Sequence, residues 1–253
     1  MIETTIRKQL ESKDILLMTH IVIGYPSLED SYRIVKAMVE AGVDLMELQM
    51  PFSEPIADGP VILRANQEAL ATGITVEQCL DFAERVGREF DIPFLVMTYY
   101  NILFKYGVAK FARAMAQRGL KGAIVPDLPP EEAADYLAAM SKHGLDPIFI
   151  FAPNSTEKRL QLIAQHARGF VYCVARKGVT GAQTDFSRDL DAYLSRCRAA
   201  TDLPLALGFG VSSKEDIDCL RGKADIAVVG SQAIRVFDTE GVDAVGTFIR
   251  GLR

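Results

Sequence analysis

Short apolar runs alternate with segments of helical period along the whole chain. Eight runs stand out: ILLMTHIVI at 15–23, VDLMELQM at 43–50, PFLVMTYY at 93–100, KGAIVP at 121–126, DPIFIF at 146–151, GFVYCVA at 169–175, PLALGFG at 204–210 and ADIAVVG at 224–230. Between them, apolar positions recur at three- and four-residue spacing, as in Tyr32, Val35, Met38 and Val39, which marks helices with one face against a core. Helix starts are signalled by Ser27 to Asp30 and by Pro129-Pro130-Glu131-Glu132, with acids in the first turn against the helix dipole. Strand–helix units of this kind build parallel sheets, and eight of them predict an α/β fold of the (β/α)8 TIM-barrel type. The gap between the second and third runs holds both GPVILRANQEALATG and TVEQCLDFAERVGREF, so an extra helix follows strand 2. The first fourteen residues form an extra N-terminal amphipathic helix placed to plug the bottom of the barrel. No Gly/Ser- or Pro-rich linker interrupts the pattern, so residues 1–253 read as a single domain.

Composition narrows the range of functions. With 28 Lys+Arg against 33 Asp+Glu, a net charge of -5 and no basic cluster, the chain lacks the face a nucleic-acid backbone demands. No apolar run reaches the roughly 18 residues of a membrane helix, and MIETTIRKQLESKD is no signal peptide, so the expected location is the cytoplasm. Cys79, Cys173, Cys197 and Cys219 are scattered without a CxxC pair and are accompanied by only three histidines, which argues against a metal site or a disulfide framework. A small anionic substrate stays open, because backbone amides bind phosphate without basic side chains.

In this fold the active site lies at the C-terminal ends of the strands. Alternation in the second run puts Val43, Leu45, Glu47 and Gln49 on one face and Met46, Leu48 and Met50 on the other, so Glu47 points into the barrel mouth. A strand-end Glu can equally be solvated or salt-bridged. The proline-spaced loop PFSEPIADGP shifts the balance by bringing Asp58 to the same mouth, with Glu54 read as a surface or interface residue. Two acids in one partly apolar pocket suit proton transfer, since burial favours the protonated form of one while hydrogen bonds keep the other ionised. Runs seven and eight end in Gly208-Phe209-Gly210-Val211-Ser212 and Gly230-Ser231-Gln232, each opening a helix, at the usual phosphate position of this barrel. Tyr172 shares a face with Phe170 and Val174 and reaches the pocket, unless it is a plain core tyrosine. Residues 177–186, rich in Gly and small polar side chains, read as a mobile lid, against the alternative of an ordinary surface loop.

These residues together resemble the tryptophan synthase α-subunit family. The resemblance rests on ELxxPFSxPxADGP, TYYN, PDLPPEE, RxGVTG and the paired GFGVS and GSQAI, in order over essentially the whole chain. It implies a lyase that splits indole-3-glycerol phosphate by retro-aldol cleavage into indole and glyceraldehyde 3-phosphate. It also implies that indole passes to a β subunit in an αββα heterotetramer. No cofactor is expected in this subunit, and pyridoxal phosphate is expected in the β subunit. By the same resemblance Glu47 matches the catalytic glutamate and Asp58 the catalytic aspartate. Tyr172 matches the active-site tyrosine, while Phe209, Ile62, Met97, Tyr99 and Ile124 match the indole pocket and its surroundings. Gly181, Gly210, Gly230 and Ser231 match the phosphate cradle, and Thr180 would hydrogen-bond Asp58 when the lid closes. The segments 51–55, 99–101 and 127–129 match the surface for the β subunit.

Three positions depart from the family pattern. Gln49 stands for the usual glycine, Glu54 for the usual Asp, and His20 where an apolar ring is common. Gln49 shares a face with Glu47 and so could hydrogen-bond that carboxylate or narrow the pocket. His20, on the face of Met18 and Val22, reads as pocket-lining or internally satisfied rather than as a catalytic base. Two alternatives stay open: a regulatory partner of the β subunit with weak catalysis, and a stand-alone lyase that releases indole. A related barrel such as indole-glycerol-phosphate synthase fits poorly, because no strand here ends in lysine.

Overall fold

Each of the eight apolar runs contains one strand. They are β1 (Leu16–Val22), β2 (Leu45–Gln49), β3 (Phe94–Met97), β4 (Gly122–Ile124), β5 (Asp146–Phe151), β6 (Val171–Val174), β7 (Leu205–Gly208) and β8 (Ile226–Val229). All neighbours pair in parallel and β8 returns to β1, which closes the barrel in chain order. The computed structural model describes residues 1–175, 183–208 and 210–253, and of 183–188 the backbone alone. The helices are α1 (Ile2–Leu10), α2 (Leu28–Glu40), α3 (Pro60–Ala71), α4 (Val76–Glu89), α5 (Tyr100–Tyr106) and α6 (Val108–Gln117) in the first half. The second half adds α7 (Ala134–Lys142), α8 (Glu157–His166), α9 (Gln183–Ala200), α10 (Lys214–Leu220), α11 (Ser231–Glu240) and α12 (Val242–Gly251).

The alternation of side chains divides two cores. Leu16, Met18, Leu45, Leu95, Ile124, Ile148, Phe170, Ala206 and Ile226 fill the barrel interior, while Leu17, Met46, Leu48, Val96 and Leu207 pack outward against the helices. The N-terminal helix plugs the bottom as expected: Ile2 and Ile6 of α1 belong to the interior cluster, and the Ile2 amide donates to Asp146 Oδ2 at 2.8 Å. The expected extra helix after β2 is also present, with α3 and α4 both lying before β3. Thr75 starts α4 with a reciprocal capping box to Gln78.

Four local readings change. Val43 packs in the outer cluster rather than beside Glu47, because β2 begins only at Leu45 and strand alternation does not reach back to it. The run at 93–100 ends as a strand at Met97 and turns into α5, whose first amide, that of Tyr100, is taken by Asp127 at 2.9 and 3.1 Å. The Pro129–Glu132 signal opens a 3-10 turn at Pro130–Glu132, and α7 follows only at Ala134. The loop read at 177–186 is shorter at its far end, since 183–186 belong to α9; small polar residues also make up helix N-termini. Residues 177–182 of that loop lie outside the described residues.

Candidate active site

The C-terminal ends of the strands surround a cavity of about 910 Å³. Glu47, Asp58, Ile62, Met97, Ile124, Tyr172, Gly210, Gly230 and Ser231 all line it, so most of the residues picked out in the sequence share one space. Thr180, Gly181 and Phe209 lie outside the described residues. Glu54 is exposed, as expected of a surface residue.

Glu47 projects inward from the middle of β2, between Leu45 below and Gln49 above, and is only 4% exposed. Its register partner on β1 is His20, 3% exposed, whose Nδ1 lies 3.1 Å from Glu47 Oε1. The other ring nitrogen, Nε2, is buried without a protein partner, and the ring lines the cavity. Burial alone would pull this imidazole down. The hydrogen bond and charge of Glu47, helped by Asp58 and Gln49, more than offset that, and the net shift is upward from the ordinary 6.5.

Asp58 sits in the loop after β2 and is held by two donors. Gln49 Nε2 donates to its Oδ2 at 2.6 Å, and the Tyr99 hydroxyl donates to the same oxygen at 3.1 Å. Gln49 therefore serves the second acid, not Glu47 as its shared face suggested, because the loop folds back over the end of its own strand. Tyr99 lies in the surroundings of the pocket, in contact with Asp58, rather than in its lining. At 1% exposure it does not line the cavity, but lies under the loop, where its hydroxyl also accepts from the Ala57 amide at 3.1 Å and its ring stacks on Phe52 at 5.0 Å. Burial first, and then the Asp58 charge, push its phenol far above the ordinary 10, so it stays a donor.

Asn66, missed in the sequence, ties the same loop to α3: its Oδ1 accepts from the Phe52 amide at 2.9 Å and its Nδ2 donates to the Ile62 carbonyl at 2.8 Å. The only signal for it was a polar residue on the buried face of an amphipathic helix.

Tyr172 enters from β6, across the barrel from Glu47. Burial, then the charges of Glu47 and Asp58, raise its phenol well above the ordinary value, so it remains protonated. Its ring has room only because β7 ends in glycine, since a Cβ on Gly208 would stand 2.7 Å from the Tyr172 oxygen. Beyond β7, Gly210 adopts φ +89, a conformation that L side chains rarely take. Asp216 then shapes the turn by accepting from the Ser212 and Ser213 amides at 2.9 and 3.2 Å. The Ser213–Asp216 capping box is the sequence signal for that residue. After β8, Gly230 precedes Ser231 at the start of α11, and both line the cavity, so the N-terminus of that helix borders it. None of the described lining residues is Lys or Arg.

The site thus pairs two differently held carboxylates with a helix N-terminus suited to phosphate. Comparison with known proteins points the same way. The family model for the tryptophan synthase alpha chain matches residues 6–246. The tryptophan synthase alpha chain of Syntrophotalea carbinolica is 71% identical over 253 residues, covering 100% of both chains, and that of Desulforapulum autotrophicum is 61% identical over 252 residues, also covering 100% of both. Among solved structures, Mycobacterium tuberculosis tryptophan synthase superposes with a TM-score of 0.92 at 35% identity, over 99% of this chain and 96% of that one. Tryptophan synthase subunit alpha from Legionella pneumophila gives 0.90 at 30% identity, over 99% and 96% of the two chains. With barrel, motifs and full-length likeness in agreement, the chain belongs to the tryptophan synthase alpha chain family.

Proposed function

We propose that this chain, working as one domain over residues 1–253, is the lyase subunit that cleaves indole-3-glycerol phosphate into indole and glyceraldehyde 3-phosphate. The observation that carries this reading is Glu47 and Asp58 on one cavity with the glycine turns after β7 and β8. In the retro-aldol step a proton is added at C3 of the indole ring. The bond from C3 to the side chain then breaks, its electron pair flowing into the ring, while the adjacent hydroxyl gives up its proton and becomes the aldehyde. Glu47 is the proton shuttle for both transfers. Asp58 accepts a hydrogen bond from the indole N–H and stabilises the positive charge that develops there. Ile62, Met97, Ile124 and Tyr172 offer the ring a largely apolar wall, and the amides near Gly210, Gly230 and Ser231 hold the phosphate. Phe209, Thr180 and Gly181 belong to the same reading through their motifs alone. The chemistry needs no cofactor in this chain.

A β subunit carrying pyridoxal phosphate completes the proposal, in an αββα assembly that receives the indole in the cytoplasm. Ile56 at 80% exposure and Phe104 at 67% leave apolar side chains in solvent. The Ala57–Tyr99 hydrogen bond links the loop of Ile56 to the start of the helix of Phe104, the Tyr100–Asp127 bond ties that helix to the segment at 127, and exposed apolar side chains there suit a partner. The test is indole release from indole-3-glycerol phosphate by the purified chain, alone and with its β subunit. Slow release alone and a large gain with the partner is the expected result. Fast release alone makes it a stand-alone lyase; no indole in either case, with the β reaction still accelerated, makes it a regulatory partner.

The hold on Asp58 supplies a further prediction. A hydrogen bond to a charged group contributes about 1.5–3 kcal/mol. Gln49→Ala should therefore lower kcat/KM for indole release roughly tenfold or more while the fold stays intact. Unchanged kcat/KM would mean that Asp58 is set without Gln49.

A further inference from the structure

His20 lines the cavity beside Glu47, yet the proposed reaction gives it no task. It lies between the acid and the phosphate turn: β1 pairs with β2 on one side and β8 on the other, and a Cβ on Gly230 would stand 3.9 Å from the His20 Cβ. Its Nδ1 is shared with Glu47 and its buried Nε2 is unpartnered. Two buried titratable groups at 3.1 Å hold one proton between them at lowest cost, because both arrangements, imidazolium with carboxylate or imidazole with carboxyl, leave the pair neutral. The groups facing His20 are Glu47 and Gln49 on β2, Asp58 in the following loop and Tyr172 across the cavity, so no cation competes with it for the Glu47 carboxylate among the described lining residues.

We infer that His20 is a positioning residue for Glu47, and that the two act as a single proton store in which the imidazole fixes the carboxylate oxygen and stabilises its ionised form between the two proton transfers. The inference rests on the proposed lyase reading. The pair gives one proton to C3 of the indole, the C–C bond pair moves into the ring, and the hydroxyl proton returns to the pair, so no other acid or base is consumed. Without the imidazole, an ionised Glu47 would stand among apolar walls with no donor from the neighbouring strand.

Two variants and one titration test this. His20→Phe keeps the ring volume and removes the nitrogen, whereas His20→Asn keeps an N–H donor near the Nδ1 position but cannot titrate. Indole release is measured with the β subunit across the range in which histidine titrates. For His20→Phe the expected result is a fall in kcat of about 10- to 100-fold with KM within about threefold, below the 10²–10⁴ typical of losing a general acid itself. His20→Asn should recover most of that kcat, yet both variants should lose or displace the pH limb that the wild type owes to the pair. A KM effect alone, or wild-type kcat and pH profile in His20→Phe, overturns the inference. The titration of the His20 ring nitrogens by NMR, tractable with three histidines in the chain, needs no turnover. Its midpoint should fall in Glu47→Gln, because burial remains when the carboxylate is gone. An unmoved midpoint overturns the pair even if His20→Phe fails to fold. If the wild type yields no indole while the midpoint still moves, the lyase reading fails but the coupling stands.

Discussion

Glu47→Gln is expected to lower indole release by about 10²- to 10⁴-fold, the contribution of a positioned general acid–base group. At about 1.36 kcal/mol per decade this corresponds to roughly 3–5 kcal/mol of transition-state stabilisation. The change is close to isosteric, and Glu47 is almost wholly enclosed between β1 and β3, so the cavity should keep its shape. The amide can still hydrogen-bond the His20 ring at Nδ1, but it cannot pass a proton to carbon. Substrate affinity should therefore stay within a few-fold of the wild type, since the apolar wall and the amides after β7 and β8 are untouched. Steady-state kinetics and binding of the substrate to the inert variant check this together. Retained turnover with lost binding would defeat the assignment, because it would make Glu47 a binding group.

Glu47 was legible in the sequence for a physical reason. An otherwise apolar strand with one carboxylate at an inward position has nowhere to put that charge except the barrel mouth, and strand alternation fixes which way it faces. The same logic located the barrel itself and the α1 plug, whose Ile2 and Ile6 sit in the interior cluster. What alternation cannot supply is the neighbour. Gln49 shares a face with Glu47, yet its amide bonds Asp58, because the loop from Pro51 to Asp58 returns over the strand end along a path set by Asn66 and Tyr99. Tyr99 matched the pocket and its surroundings, but its place under that loop depends on how the closing of the barrel brings the end of β3 beside it. His20 could be placed on the pocket side but not paired, since its pairing with Glu47 depends on the stagger of β1 against β2. In each case the missing information was strand register or loop path, a long-range property that no local pattern encodes.

Gly122→Ala is expected to cost about 3 kcal/mol, the upper end of what overpacking a well-filled core costs. A Cβ at this position would stand 2.3 Å from the backbone oxygen of Asp146, 3.2 Å from its carbonyl carbon and 3.1 Å from Ile2 Cδ1. Gly122 opens β4 directly opposite Asp146 at the start of β5, so relief requires the two strands to move apart at the bottom of the barrel. That movement would also disturb the Asp146 carboxylate that accepts from the Ile2 amide and seats the α1 plug. At roughly 2–4 °C per kcal/mol for a chain of this size, the melting temperature should fall by about 6–12 °C. Ile2→Ala added to Gly122→Ala separates the sources of strain. It removes the side-chain contact but leaves the backbone oxygen, so it should not restore stability. Recovery in the double variant would place the clash in the helix rather than between the strands. The molecules that remain folded should release indole at nearly the wild-type rate, because Gly122 lies at the strand starts while Glu47, Asp58 and the glycine turns stand at the other end. In this barrel one end of the strands is then set for stability and the other for chemistry, and the two variants, each affecting one quantity and sparing the other, test that division directly.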